Sequence, residues 1–264
     1  MNSLLSSSLQ VLAIPIFQDN YVWLIHNHHF AIVIDPGEAN AVIDILKKHH
    51  LQLSAIFLTH HHDDHIGGVN QLCQIYTVPV YGIKDARIPY TTHFLTDQEQ
   101  CYISKLSLEF TVFHTPGHTL NHIVFYCPSQ NWLFCGDTLF GAGCGRLFEG
   151  TPAQMQHSLS RLCTLPDETQ IFCAHEYTLR NLEFALLMEP KNPDILIRLQ
   201  KETQKIHHHQ PTLPSTLLIE KQTNPFLRCS SQALIQTLIQ TRRIKEDATS
   251  EKIFQAVRAW KDNF

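Results

Sequence analysis

The clearest pattern in the chain is LQLSAIFLTHHHDDHIGGVN, residues 51–70. Its apolar run, residues 55–58, predicts a buried strand over residues 53–58. The strand leads into four side chains of types that bind metal ions: His60, His62, Asp64 and His65. A Gly-Gly pair follows, which can turn the backbone sharply. Because a rigid strand would hold imidazole and carboxylate groups on one short loop, we predict half of a metal site here.

The pattern of apolar residues on both sides of this stretch alternates between strand and helix periods. Strands are predicted at residues 11–16, 21–26, 30–34, 53–58, 79–81, 123–127, 132–135 and 170–174, with a strand pair within residues 101–113. Helices are predicted at residues 39–50, 69–76 and 153–162, and, beyond about residue 179, at residues 182–188, 195–206, 231–240 and 250–260. Pro211 and Pro214 indicate an irregular connection. This order predicts layered α/β architecture followed by a helical unit.

Three further side chains that can bind metal stand where other predicted strands end. His118 lies in a Thr-Pro-Gly-His-Thr turn, and Asp137 and His175 closely follow the strands at residues 132–135 and 170–174. Residues at one edge of a twisted sheet converge even when they are distant in sequence. Seven ligands suit two metal ions, and nitrogen and oxygen ligands without thiolate favour Zn, Fe or Mn in a catalytic pair.

The composition is that of a globular protein with a sizeable core, since 44% of the 264 residues are hydrophobic. The formal net charge of -4 and the lack of a basic tract argue against nucleic acid or an anionic membrane as a partner. The N-terminal stretch has no positively charged region, and no apolar run reaches the length of a membrane span. We therefore expect a cytoplasmic protein without a signal peptide.

Most of the other histidines and the cysteines receive no catalytic role. Surface positions are expected for His26, His28, His29, His49 and His50, and a solvated loop for His207, His208 and His209. His61 must point away from the ligands, and His122 is expected to support the site rather than to bind metal. The eight cysteines form no C-x-x-C pair and are expected as reduced thiols, and Cys144 lacks a paired base that would make it a nucleophile.

Four motifs in this order and spacing resemble the metallo-β-lactamase superfamily, and most closely its glyoxalase II (hydroxyacylglutathione hydrolase) family. They are T-H-x-H-x-D-H-x-G-G, T-P-G-H-T, G-D-T-L-F and C-A-H-E-Y-T. The resemblance covers essentially the whole chain and implies an α/β fold. It would be an αββα sandwich of two mixed β-sheets flanked by helices over residues 1–175, with a C-terminal α-helical substrate-binding domain over residues 176–264.

The same resemblance assigns the ligands to two divalent metal ions. One ion would be held by His60, His62 and His118, and the other by Asp64, His65 and His175, with Asp137 as a bridge. A water or hydroxide would lie between the ions, and Asp64 would also orient it. Zinc is the first expectation for the metal, with iron and manganese as alternatives.

The substrate is implied by the end of the chain, A-V-R-A-W-K-D-N-F, which resembles the glutathione-binding signature of the family. There Arg258 and Lys261 are three residues apart, so both cations lie on one face of a helix. Arg146, Phe148 and Tyr177 match further glutathione-contacting positions. Phe148 replaces a tyrosine of the family pattern, so the loss of one hydroxyl should weaken binding by roughly 1 kcal/mol. The Asn-Pro-Phe-Leu-Arg segment, residues 224–228, also resembles the family.

The function implied is hydrolysis of S-(2-hydroxyacyl)glutathione, above all S-D-lactoylglutathione, to glutathione and D-lactate, the second step of methylglyoxal detoxification. Alternatives within the fold are a lactonase or a lactamase, which the Arg258 and Lys261 pair argues against. A nuclease would need a basic face that the chain lacks. A non-catalytic metal-binding module should have lost ligands, and all seven are present. The expected partner is a small molecule and the expected state a monomer.

Overall fold

The computed structural model describes residues 9–264. The strands in this part of the chain are β1 Gln10–Ile16, β2 Asn20–His26, β3 Phe30–Ile34, β4 Gln52–Phe57, β5 Val80–Gly82, β6 His93–Phe94, β7 Gln100–Ile103, β8 Leu108–His114, β9 Ile123–Cys127, β10 Trp132–Gly136, β11 Leu139–Phe140, β12 Gly143–Cys144, β13 Gln170–Cys173 and β14 Ser215–Thr216. The helices are α1 Ala39–Lys48, α2 Asp63–Ile66, α3 Val69–Ile75, α4 Pro152–Leu162, α5 Thr178–Met188, α6 Pro193–His207, α7 Leu217–Thr223, α8 Gln232–Gln240 and α9 Ser250–Asp262. The strands form two six-stranded sheets and one two-stranded sheet.

The described part of the chain divides into two compact units, one of residues 9–114 and 125–130 and the other of residues 115–124 and 131–264. In the first unit, β1 to β6 form a sheet in sequence order. The pairs β1–β2 and β2–β3 are antiparallel, whereas β3–β4, β4–β5 and β5–β6 are parallel. The sheet is therefore mixed, and helix α1 makes the crossover between the parallel strands β3 and β4.

Both faces of this sheet are buried, which explains why its central strands are apolar at almost every position. On one face Ala31 and Val33 of β3 belong to a core cluster that includes Val42 and Leu46 of α1. On the other face Phe57 of β4 packs against the rings of two phenylalanines from other strands. The ring centroids lie 5.1 Å from that of Phe110 in β8 and 4.6 Å from that of Phe125 in β9. Helices thus cover one face of the sheet, and strands cover the other.

The second unit combines short sheets with the C-terminal helices. Strands β10 and β13 pair in parallel, β13 and β14 are antiparallel, and β11 and β12 form a small hairpin. Helices α5 and α6 pack through a cluster that includes Leu182, Ala185 and Ile195. Helix α9 is fixed by aromatic contacts, because Trp260 and Phe264 lie 6.1 Å and 5.5 Å from the ring of Phe184.

The α/β prediction is confirmed, with two mixed sheets, flanking helices and a helical C-terminal region. Residues 211–214 are irregular, as predicted from Pro211 and Pro214, but strand β14 and helix α7 follow them and were not predicted. Helix α7 has only seven residues, too few to show a helical period in the sequence. The division at residue 175 differs from the two compact units and stays a prediction.

All eight cysteines are free, as expected of reduced thiols. Within residues 9–264, no helix has both the length and the apolar character that crossing a bilayer requires.

Candidate metal centre and substrate site

The loop after β4 carries the first group of predicted ligands. His60 is fully buried just beyond the strand, and His65 is buried in the short helix α2. Gly67 and Gly68 form the turn between α2 and α3, and both have right-handed helical φ and ψ angles. These residues also let backbones approach closely: Gly68 N–H donates to the Pro36 carbonyl at 2.9 Å.

Gly37 allows the same close approach from the other side. A Cβ atom at this position would lie 1.9 Å from the carbonyl oxygen of Asp64, a distance that no packing can accommodate. The turn after β3 therefore fits directly against the backbone of the ligand loop. Any side chain at position 37 would displace the segment that carries Asp64 and His65.

A buried carboxylate, Asp35, fixes the orientation of two imidazole rings. Its Oδ2 atom accepts from His65 Nδ1 at 2.9 Å and from the Thr59 hydroxyl at 2.7 Å. Because that hydroxyl donates to Asp35, it accepts from His60 Nδ1, 3.1 Å away. Both rings therefore carry their proton on Nδ1 and present an unprotonated Nε2, the form in which histidine binds metal.

The remaining side chains of the loop lie beside these two nitrogens. His60 Nε2 is 3.0 Å from His62 Nδ1, and His65 Nε2 is 3.5 Å from Asp64 Oδ2. The same Asp64 oxygen accepts a hydrogen bond of 2.8 Å from the amide of Asn20. In the first unit, the structure thus brings together all four side chains that the sequence predicts for this half of the site.

The second unit brings together the other three predicted ligands. Asp137 Oδ2 lies 3.3 Å from His118 Nε2 and 3.4 Å from His175 Nε2. His118 Nδ1 donates to the carbonyl of Arg146 at 2.7 Å, so its Nε2 is the unprotonated nitrogen. All three residues are at least nine-tenths buried. One carboxylate oxygen therefore stands next to the ligand atoms of two histidines.

His122 supports this arrangement without contributing a ligand atom. Its Nε2 accepts from the backbone N–H of Asp137 at 3.1 Å. Its Nδ1 then carries the proton and donates to the hydroxyl of Thr115 or Thr138, at 3.0 and 3.1 Å. Gly145 completes the loop, since a Cβ there would lie 2.0 Å from the Asp137 carbonyl and 3.0 Å from His118 Nδ1.

The donor atoms and their spacing fit a divalent metal ion. Two ligands at 2.0–2.2 Å from one tetrahedral ion lie roughly 3.3–3.5 Å apart. The three nitrogen–oxygen distances involving Asp64 and Asp137 are 3.5, 3.3 and 3.4 Å. All seven predicted side chains belong to groups of histidine and aspartate residues that could hold a metal ion. The chain therefore has the ligands of a divalent-metal protein.

Arg258, one of the two cations predicted to bind glutathione, is buried. It is only 7% exposed, and its guanidinium donates to the Cys144 carbonyl at 2.9 Å and to Asp262 Oδ1 at 3.0 Å. The group also lies 4.9 Å from the centroid of the Phe226 ring. Arg258 thus joins helix α9 to the hairpin of β11 and β12.

Lys261 lies one turn further along α9 and is half-buried. Its Nζ donates to the carbonyl of Arg180 at 3.3 Å and lies 4.8 Å from the centroid of the Phe264 ring. Burial, together with the nearby positive charges of Arg258 and Arg180, lowers the pKa of Lys261 to about 8. A lysine with this pKa is charged at neutral pH but loses its charge just above it.

The other predicted substrate residues are exposed on the second unit. Arg146 lies 3.4 Å from Asp262 Oδ1, and 57% of its side chain is accessible. Phe148 is 63% exposed and meets the His118 ring edge-on at 5.3 Å. Tyr177 stacks on the His175 ring, with the planes 7° apart and the centroids at 4.7 Å. Phe148 and Tyr177 therefore each touch a predicted metal ligand and remain accessible to a small molecule.

Two residues given no catalytic role are engaged elsewhere. His61 Nε2 accepts from Arg87 Nη1 at 3.0 Å. Burial raises the pKa of the Cys144 thiol to about 11, although Arg258 acts in the opposite direction. A thiol with this pKa is protonated at neutral pH, which argues against Cys144 as a nucleophile.

Sequence reasoning missed the residues that orient the ligands, chiefly Asp35, Thr59 and Asn20. Asp35 could have been found from the sequence, because it directly follows strand β3 just as Asp137 directly follows strand β10. Thr59 directly precedes His60, but its contact with Asp35 spans 24 residues and has no local signature. The same holds for Asn20 and Asp64, which are 44 residues apart.

Two family models match the chain, and together they span residues 16–264. One is described as the metallo-beta-lactamase superfamily and matches residues 16–175. The other is described as the hydroxyacylglutathione hydrolase C-terminus and matches residues 176–264.

Similar proteins are found among curated sequences and among solved structures. A hydroxyacylglutathione hydrolase of Nitrosomonas eutropha is 48% identical over 257 residues, which cover 97% of this chain and 99% of that protein. The crystal structure of the B3 metallo-beta-lactamase BLEG-1 is similar with a TM-score of 0.61 and 26% identity, over 83% of this chain and 99% of that one. A protein crystallised in a di-iron-bound form has a TM-score of 0.58 and 25% identity, over 83% and 100%.

Proposed function

The chain belongs to the metallo-β-lactamase superfamily and, within it, to the hydroxyacylglutathione hydrolases, and from this membership we propose that it hydrolyses S-(2-hydroxyacyl)glutathione thioesters. The reaction adds water across the C–S bond of the thioester and yields a 2-hydroxy acid and glutathione. S-D-lactoylglutathione is the proposed substrate, and D-lactate the proposed acid. The observation that carries the proposal is that the second unit holds both a cluster of metal ligands and the cationic end of α9.

We propose two divalent metal ions per chain as the cofactors. His60, His62 and His118 would hold one ion, Asp64, His65 and His175 the other, and Asp137 would bind both. The position of Asp137 Oδ2 supports its role as a shared ligand, since it lies within 3.4 Å of Nε2 of both His118 and His175. The di-iron form of a structural relative also supports a pair of ions. Zinc is the first candidate, with iron and manganese as alternatives.

Bound at these ligands, the ions would supply activation of water at neutral pH and stabilisation of negative charge on the carbonyl oxygen. The residues of the chain set up this chemistry. Asp35 and the carbonyl of Arg146 hold His65 and His118 with Nε2 unprotonated. Asp64 would orient the attacking water, and the amide of Asn20, which donates to Asp64 Oδ2, holds this carboxylate in place. A thiolate leaves readily, so little acid assistance is needed.

Recognition of glutathione is proposed for the second unit. Lys261 and Arg258 would together attract the glycine carboxylate, with Lys261 as the contact and Arg258 adding charge from its buried position beside it. Arg146, Phe148 and Tyr177 would line the path of the tripeptide towards His118 and His175. The substrate is small, so a monomer suffices for the reaction, and we propose a monomer located in the cytoplasm.

The test compares three substrate classes on one preparation of metal-loaded enzyme: S-D-lactoylglutathione, an N-acyl homoserine lactone and a β-lactam. Rapid hydrolysis of the thioester alone is expected, because only this substrate has a carboxylate positioned for Lys261. Faster turnover of the lactone or the β-lactam would overturn the assignment in favour of the other hydrolases of this fold. No turnover of any of them, with metal bound, would favour a non-catalytic metal-binding module.

A further inference from the structure

Three histidines come together in the first unit at the end of the sheet opposite to the ligand loop. His26 ends β2, His28 lies in the following turn, and His49 follows α1. The backbone of Gln52 donates to the carbonyl of His29 at 2.8 Å, which ties this turn to the first residue of β4. The proposed catalytic ligands follow the last residue of the same strand. The two groups of histidines are therefore separated by the length of β4.

His26 has a buried nitrogen without a partner. The residue is 3% exposed, so the predicted surface position of His26 is wrong, and its Nδ1 accepts from the backbone N–H of His28 at 3.2 Å. The proton of the neutral ring must then be on Nε2, and this atom has no hydrogen-bond partner among residues 9–264. Leaving a buried N–H without an acceptor is unfavourable. A metal ion that replaces this proton would give the nitrogen a partner and so stabilise the folded protein.

The neighbouring rings are close to the spacing of a metal site. The His26 ring centroid lies 5.4 Å from that of His28 and 6.2 Å from that of His49. Three imidazoles bound to one tetrahedral ion at about 2.0 Å have centroids roughly 5 Å apart. His28 and His49 are exposed, so rotation of their side chains can bring the ring centroids to this spacing. Burial lowers the pKa of His26, and the nearby imidazoles of His28 and His49 lower it further, which favours the neutral ring that can bind a metal ion.

We propose that His26, His28 and His49 form an additional site that binds one divalent transition-metal ion such as Zn²⁺. Three neutral imidazole ligands and one water would complete a tetrahedral shell. The ion would connect the turn between β2 and β3 to the end of α1. Because it binds only the folded chain, it would raise the thermal stability of the protein and leave thioester hydrolysis unaffected.

The site is tested with Zn²⁺ on enzyme whose catalytic metals are already bound. Equilibrium dialysis followed by elemental analysis should show one further ion per chain. The variant His28→Gln/His49→Gln should bind this ion at least about tenfold more weakly and lose the increase in Tm that Zn²⁺ produces. Both residues are exposed, so the variant should fold, and its rate on S-D-lactoylglutathione should equal that of the wild type.

The matched control is His207→Gln/His208→Gln, which removes two exposed histidines at the end of α6. This variant should retain the additional ion and the increase in Tm. Three results would overturn the proposal: no further ion in the wild type, an unchanged further ion in the His28 and His49 variant, or its loss in the control. None of these results bears on the catalytic metals, which are bound before the titration begins.

Discussion

Asp35 contacts one proposed metal ligand directly and a second through Thr59. Its Oδ2 atom accepts from His65 Nδ1. The Thr59 hydroxyl donates to Asp35 and accepts from His60 Nδ1, so it fixes the orientation of the His60 ring. A carboxylate in this position also increases the basicity of the imidazole that it contacts. The side chain is therefore a positioning residue for the two rings nearest to the end of β4.

Replacing Asp35 by Asn should weaken metal binding by roughly 10- to 100-fold. Asp35 Oδ2 accepts from the Thr59 hydroxyl and from His65 Nδ1, and Oδ1 accepts from the Thr59 backbone N–H at 2.8 Å, so the NH2 group of Asn would face one of these donors. Competition with a chromogenic chelator measures this change in affinity. Asp44→Asn, an exposed position on α1, is the control and should bind metal as the wild type does. An Asp35→Asn protein with unchanged affinity would contradict the orienting role.

Lys261 should make substrate binding depend on pH in the range above neutrality. Its pKa is lowered from 10.5 to about 8, so the side chain is charged below pH 8 and neutral above it. If only the charged form binds the glycine carboxylate, KM rises with pH and is roughly tenfold higher at pH 9 than at pH 7. Initial rates across this range, with buffers of constant ionic strength, measure the effect.

Two variants separate this charge from other groups that titrate in the same range. Lys261→Arg keeps the charge at all these pH values, so the rise in KM should disappear. Lys252→Ala removes an exposed lysine from the same helix and should leave the profile of the wild type intact. The same rise in KM for the Lys261→Arg protein would show that another group is responsible.

At the scale of elements, helix α7 connects the helical region to the hairpin of β11 and β12. Its residue Glu220 is fully buried and lies 2.6 Å from the guanidinium of Arg198 in α6. The second oxygen of Glu220 accepts from the backbone N–H of Ala142 at 2.8 Å. A single carboxylate therefore holds the loop that leads to Cys144 and, through Arg258, to α9.

Glu220→Ala should destabilise the protein by roughly 3–5 kcal/mol, because it leaves the charge of Arg198 buried and unpaired. Urea unfolding followed by circular dichroism measures the difference. Lys221→Ala on the same helix removes a partly exposed ion pair with Asp167 and should cost less than about 1 kcal/mol. Equal losses of unfolding free energy in the two variants would mean that the buried pair of Glu220 and Arg198 contributes no more to stability than the exposed pair.

Elements with an uninterrupted apolar pattern were predictable, and short or polar ones were not. Strand β4 was predicted from its apolar sequence, which is nearly continuous because both faces of its sheet are buried. Helix α7 was missed because its seven residues include Glu220, whose burial depends on Arg198 from another helix. No local pattern reveals such a pair. The proposed ligands could be named from the sequence because each lies in a segment that follows a predicted strand, whereas the contacts of Asp35 with His65 and Thr59 are distant in sequence.

At the scale of the whole molecule, the chain is acidic, but three cationic side chains lie close together in the second unit. The formal net charge is -4, yet Arg180, Arg258 and Lys261 lie close enough for the two arginines to lower the pKa of the lysine. A local positive field in an acidic protein attracts a small anion without favouring nucleic acid. This distribution suits glutathione, which is a small anion. The composition argues against a nucleic-acid partner, but it does not reveal where in the fold the cationic side chains lie.

The central claim is that the histidine and aspartate ligands bind metal ions that are needed for thioester hydrolysis. The most direct measurement is the rate of S-D-lactoylglutathione hydrolysis by metal-free protein to which Zn²⁺ is added stepwise. We expect no activity above background without metal and a rise that ends at two ions per chain. Full activity in the metal-free protein would contradict the account.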